Sequence, residues 1–156
     1  MTLFSENLVV VRGGGDLATG VIARLHRAGF PVVVLELATP SAIRRTVSVA
    51  RAVSERSAQI EDLTAQLAGN PVEAIALAAA GVIPVVVSPQ WPDIPGVSIL
   101  VDARVAKERL DTRIDQAPLV VALGPGFTAG VDCHAVVETM RGHHLGRVLW
   151  AGRATP

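Results

Sequence analysis

The stretch that most constrains this chain is "LVVVRGGGDLATGVIARLHRAGFPVVVLE", Leu8 to Glu36. An apolar run enters three glycines. Leu17, Val21, Leu25 and Ala28 then recur at helical spacing, Gly29 closes the helix, and a second apolar run covers Val32 to Leu37. Strand, tight turn, helix and strand in this order make a βαβ unit. The strands are continuously apolar rather than alternating, so they are buried on both faces, as in a parallel sheet covered by helices.

Further β-branched runs bounded by Gly or Pro are Ile83 to Val87, Ser98 to Val101 and Pro118 to Leu123. Ile60, Leu63 and Leu67 predict a helix ending at Gly69-Asn70, and Pro71 to Ala80 predicts another, entered through proline and left at Gly81. Ser41 to Glu55 fits two patterns, a helix through Ile43, Val47 and Ala50 or a strand through Val47 and Val49. Ser88 to Gly96 is a proline-rich loop. After Gly130, His134, Val136 and Glu138 alternate with Ala135, Val137 and Thr139. "MRGHHLG" then turns the chain and "RVLWAG" runs back, which is a hairpin pattern. The expected fold is α/β: a Rossmann-like, mostly parallel sheet flanked by helices over residues 1–130, with a C-terminal β-hairpin over 131–156.

Composition narrows the function. The chain has 156 residues, enough for one domain, and 14 basic residues balance 14 acidic ones. With no net field, nucleic acid and anionic membrane surfaces are not expected partners, and any anion must be held by a local site. Cys133 is the single cysteine, which excludes an internal disulfide and suits a reducing, cytoplasmic setting. The segment "MTLFSENLVV" has no basic region ahead of a long apolar run, so a secretory leader is not expected. Ala74 to Trp91 is uncharged and nearly long enough to span a bilayer, but Gly81 and Pro84 break it into helix and strand, so no membrane span is expected.

Gly13, Gly15 and Ala18 satisfy the G-x-G-x-x-G/A spacing of a dinucleotide-binding turn, with Gly14 between the first two. One glycine makes the turn, another lets amides approach phosphate oxygens, and the small third residue permits close helix–strand packing. Unpaired amides at the helix start then face an anion. Glu36, twenty-one residues beyond Gly15 at the end of the second strand, can accept hydrogen bonds from ribose hydroxyls. The competing reading makes the glycines a tight turn only and Glu36 a solvated strand end. Asp16 fits a helix N-cap or hinge, or a contact to ligand or Mg²⁺.

A second loop, Gly124, Pro125, Gly126 and Phe127, follows the last parallel run. If it lines the same crevice, amides of Gly126 to Thr128 make another anion nest and Phe127 a wall for a flat ring; otherwise it is a turn into the hairpin. Asp102 and Arg104 sit at another strand end, as crevice residues or as a surface ion pair. Arg44 and Arg45 meet a phosphate or form a solvated face. Cys133 reads as a small core side chain rather than a reactive thiol. His134, His143 and His144 lack metal-ligand spacing, so no metal site is expected.

"VVVRGGGDLATGVIARLHRAGF", "AIRRTVSVARAV", "VDARVAK" and above all "GPGFTAGVDCHAVVETMRGHHLGRV" give the chain its resemblance to the selenium-dependent molybdenum hydroxylase system protein family, bacterial accessory proteins. The likeness runs through nearly all of Leu8 to Pro156. It implies a Rossmann-like domain in a protein associated with maturation of molybdenum hydroxylases, the enzymes that carry a molybdopterin cofactor. Family members continue past the position of Pro156 into a β-rich segment, so the resemblance also implies that the hairpin opens such a segment.

The function expected from the sequence is therefore an accessory factor for molybdenum hydroxylase maturation. It would hold a small phosphate-bearing ligand, a dinucleotide (NAD(P)) or a molybdopterin-type compound, between the two glycine loops. A molybdenum hydroxylase is the expected protein partner. The alternatives are an NAD(P)-dependent oxidoreductase, for which only Asp16, Lys107 or His134 offers a proton because the chain has no tyrosine, and a non-catalytic partner-binding scaffold. The apolar hairpin, with Val137, Val148 and Trp150, further predicts a homo-oligomer.

Overall fold

The computed structural model describes residues 2–156. Among them a nine-stranded sheet forms around β1 (Leu8–Arg12), with β2 (Val32–Glu36) on one side and β6 (Val97–Asp102) on the other, both parallel to it. Beyond β2 lie β5 (Ile83–Val87), β4 (Leu63–Ala68) and β3 (Ser57–Ile60); beyond β6 lie β7 (Leu119–Leu123), β8 (Ala135–Val137) and β9 (Val148–Leu149). β4 through β8 are parallel neighbours. Only the outermost strands, β3 and β9, run antiparallel. This is the expected Rossmann-like sheet with its C-terminal hairpin. The order β5-β2-β1-β6-β7-β8 reverses direction between β1 and β6, so the connections leaving those two strands part and open a crevice at their carboxyl ends.

The continuous apolar strands are buried on both faces as their sequence requires. Leu8 and Val10 face one core layer with α3 (Pro71–Ala79), while Val9 and Val11 face the other with α1 (Asp16–Ala28). Helix α1 buries Ala18 and Ile22 against the sheet, with Val21 and Leu25 of the expected stripe partly buried beside them, while Leu17 and Ala28 are exposed. It ends at Gly29, whose φ of 100° places it in the left-handed region and whose N–H is donated to the His26 carbonyl. Asn70 opens α3 by accepting from the Glu73 amide, with Pro71 in the first position.

The helix expected through Ile60, Leu63 and Leu67 is instead the β3–β4 hairpin. Its inward residues are Ala58, Ile60, Leu63 and Ala65, and Glu61 at φ 51° makes the two-residue turn. The ambiguous stretch Ser41 to Glu55 is neither a long helix nor a strand. It forms 3₁₀ turns at Arg45–Val47 and Val49–Arg51 and a single-turn helix, α2 (Ala52–Glu55), and Val49 and Ala52 are buried beside α1. Among the described residues no helix is long and apolar enough to cross a membrane.

Candidate functional site

The crevice at the β1/β6 reversal is a cavity of about 500 Å³. Its floor carries Gly13, Gly15, Asp16 and Ala18 from the glycine turn, Arg12 from β1, Glu36 from β2, and Arg104 after β6. Its lip is apolar: Leu17, Leu37, Ile43 and Leu110 all line it and are all exposed. A polar floor under an apolar rim suits a ligand with a charged end and a flat, less polar one.

The three glycines have separate roles. Gly13 has φ 97°, a conformation that favours glycine, and its N–H is donated to the Leu35 carbonyl. Gly14 is crowded: a Cβ there would lie 3.1 Å from Val49 Cγ2 and 3.2 Å from the Ala50 nitrogen. Val49 and Ala50 approach because the Ala50 N–H is donated to the Gly14 carbonyl (2.9 Å), and the Val49 N–H to Thr19 Oγ1 (3.1 Å). Thr19 Oγ1 in turn donates to the Gly15 carbonyl at 2.7 Å. Gly15, at φ −68°, has open space where a Cβ would stand and lines the cavity, so neither strain nor packing accounts for it.

Glu36 is fixed against this turn. Its Oε1 accepts the Gly14 N–H at 2.8 Å and its Oε2 accepts the Leu37 N–H at 2.7 Å. The carboxylate is thus oriented at the cleft rather than solvated and free. Asp16 is not the N-cap. Gly15 holds that position without a side-chain bond, and Asp16 sits in the first helical turn, where its Oδ1 accepts the adjacent Leu17 N–H and Oδ2 lies 3.8 Å from Arg44 Nε. Arg44 and Arg45 are both exposed.

Asp102 and Arg104 form more than a surface ion pair. Asp102 is fully buried at the end of β6, where its Oδ1 accepts from Arg104 Nε at 3.0 Å and its Oδ2 from the Thr112 hydroxyl at 2.7 Å. Arg12, 2% exposed, donates to Thr112 Oγ1 (3.1 Å), to the Pro89 carbonyl (3.3 Å) and to Asp111 Oδ2 (2.9 Å). Arg104 Nη1 reaches the other oxygen of Asp111 at 3.1 Å. Burial opposes ionisation of Asp111, but hydrogen bonds and charge from Arg12 and Arg104 outweigh it and hold its pKa below the usual carboxylate range.

The second loop stands elsewhere. Gly124, Pro125, Gly126 and Phe127 are not among the residues that line this cavity. A Cβ at Gly126 would lie 2.6 Å from the Ala106 and Glu108 carbonyl oxygens, so the 105–108 segment covers that loop. Phe127 has no exposed surface and packs with Leu100, Val120, Val136 and Cys133 on the opposite face from α1. It is core, not a wall for a ring. Cys133 is buried with it, and burial together with the Asp132 carboxylate pushes its thiol pKa up to about 11. Nδ1 of His134 accepts the Val120 N–H at 2.9 Å, which ties it to the sheet.

Of the residues expected at the site, Gly13, Gly15, Asp16, Ala18, Glu36 and Arg104 line the cavity, Gly14 and Asp102 are buried next to lining residues without lining it themselves, and Gly124 to Phe127 stand outside it. Sequence reasoning missed Arg12, Asp111 and Thr112. Arg12 carried a signal, since an arginine ending a buried apolar strand just before the glycine turn must point its charge into the crevice. Asp111 and Thr112 lie in irregular chain and carried none.

No family model matches the chain, and no solved structure matches it. Over 151 residues it is 51% identical to a protein of Escherichia coli (strain K12) named "Uncharacterized protein YqeB"; the match covers 96% of this chain and 28% of that protein. The chain thus spans little more than a quarter of the curated relative it matches.

Proposed function

We propose that the chain is a cytoplasmic accessory factor in the maturation of bacterial molybdenum hydroxylases, binding a nucleotide or molybdopterin-type ligand in the β1/β6 crevice. The observation that carries the binding part is Gly15: an open-sided glycine at a helix start, facing a cavity beside an oriented Glu36. Amides at the start of α1 would receive phosphate, and Glu36 a ribose diol or the polar edge of a pterin. The maturation part rests on the family resemblance of the sequence. An oxidoreductase gains no support, because Lys107 and His134 do not line the cavity and Asp16 alone remains there as a proton donor.

Calorimetric titration with NAD⁺ and with its 2′-phosphorylated form tests the role of Glu36. Binding of NAD⁺ at least about tenfold tighter is expected, since a 2′-phosphate would meet the fixed carboxylate. Equal affinities, or binding of neither, would remove Glu36 from the site.

A further inference from the structure

Arg12 and Arg104 raise a problem for any anionic ligand of this cleft. Both line the cavity, yet both are charge-paired: Asp102 neutralises Arg104, and Asp111 neutralises Arg12 while also reaching Arg104. With those partners in place, the charge left facing the cavity is that of Asp16 and Glu36, which repels an anion; Arg44, 3.8 Å from Asp16, offsets it only in part. An anion can settle on this floor only if one carboxylate gives way.

The two carboxylates differ in how firmly they are held. Asp102 ends a central strand, is fully buried, and also accepts from the Thr112 hydroxyl and the Arg104 amide. Asp111 sits in irregular chain between β6 and β7 with its side chain about half exposed (51%), and among the described residues only Arg12 and Arg104 donate to its carboxylate. The segment leading to it begins at Val105, a β-branched residue at φ 53° whose backbone is strained; Val105 also lines the cavity, as does Leu110 next to Asp111. The exposed carboxylate and the strained start of its segment both mark Asp111 as the partner that yields.

We infer that Arg12 and Arg104 form an anion subsite beside the glycine turn, which Asp111 fills as an intramolecular stand-in and which a ligand diphosphate takes over by displacing it. A diphosphate is the class that fits because the two anion-attracting features adjoin. The stem of Arg104 packs on Gly13, with Cγ 3.2 Å from where a Cβ would stand. One phosphoryl group would meet the amides of Gly15, Asp16 and Ala18, which have no intramolecular partner among the described residues, and the other the two guanidinium groups. This inference rests on the reading of the crevice as a ligand site and adds the ligand's anionic group and its gate.

The test is calorimetric titration of the whole chain with inorganic pyrophosphate, with inorganic phosphate as the one-centre control. Asp111→Asn should bind pyrophosphate at least about tenfold more tightly than the unaltered protein, the scale of one charge-assisted contact. The gain should vanish in Asp111→Asn/Arg104→Gln and be smaller for phosphate. Unchanged or weaker binding by folded Asp111→Asn would overturn the inference and make Asp111 a structural clamp, and so would no binding by any form. If that variant does not fold, hydrogen exchange on the unaltered protein decides: amides 106–112 should exchange faster with saturating pyrophosphate, and unchanged or slower exchange overturns the gate. Gly15→Val separates the two levels. Loss of pyrophosphate binding there beside an unchanged Asp111→Asn affinity keeps the crevice reading and rejects the gate; a gain in Asp111→Asn that Gly15→Val leaves untouched does the reverse.

Discussion

At the scale of single residues, Gly14 and Gly15 separate folding from function within one turn. A side chain at Gly14 must displace Val49, Ala50 or Val34, all within 3.3 Å of its Cβ position, so Gly14→Ala should cost about 1–3 kcal/mol of stability. At Gly15 an added Cβ has no neighbour within 4 Å, and the backbone has an extended ψ that valine tolerates. The stability cost of Gly15→Val should be about 1 kcal/mol or less, from a poorer helix N-cap, while the valine obstructs the cavity and removes ligand binding. Chemical denaturation of both variants checks the pair; Gly15→Val as unstable as Gly14→Ala would make both glycines packing residues. The spacing marked the turn correctly but could not divide these roles, because Val49 and Ala50 come from a stretch whose own pattern was ambiguous. Phe127 shows the reverse: a loop position after a strand suggested a binding wall, yet an unbroken apolar environment took the ring into the core.

At the scale of elements, the chain was legible where a run was long and uniform. β1, α1, β2, β5, β6 and β7 lie where continuous apolar runs and their glycine or proline boundaries placed them. The β3–β4 hairpin was misread because its inward set is half alanine. Ile60, Leu63 and Leu67 stand out at helical spacing while Ala58 and Ala65, which complete the period of two, do not. The turn lacks the usual glycine or asparagine as well, since Glu61 takes the left-handed conformation at φ 51°. That departure makes a prediction. Glu61→Gly should stabilise the protein by roughly 0.5–1 kcal/mol, because the relieved strain exceeds the loss of an exposed ion pair with Arg27. A lowered denaturation midpoint in that variant would show the Arg27 contacts to matter more than the turn.

At the scale of the whole molecule, Glu138 fastens the C-terminal stretch to the sheet. It is buried just after β8, where Oε1 accepts the Met140 N–H at 3.0 Å and Oε2 accepts the Thr155 N–H and hydroxyl, each at 2.8 Å. These bonds favour the ionised form and bring its pKa from 4.5 down to about 2. A depressed carboxylate pKa contributes stability that is complete above the unfolded value and is lost as pH falls towards the folded one. Stability should therefore decline between about pH 4.5 and 2 with a component that Glu138→Gln lacks. Parallel pH–denaturation curves for the two proteins would contradict that. This tie was invisible in the sequence, as were the partners of Arg12, because Thr155, Asp111 and Thr112 all lie on irregular chain away from the residues they bind.

On the proposed function, the crevice at the β1/β6 reversal holds a phosphate-bearing nucleotide or pterin compound through the glycine turn. Native mass spectrometry of the chain purified without denaturation, beside Gly15→Val prepared identically, addresses it most directly. The unaltered protein should carry a small molecule with phosphate, and the folded variant should lack it. A phosphate-free companion, or one retained equally by Gly15→Val, would contradict it.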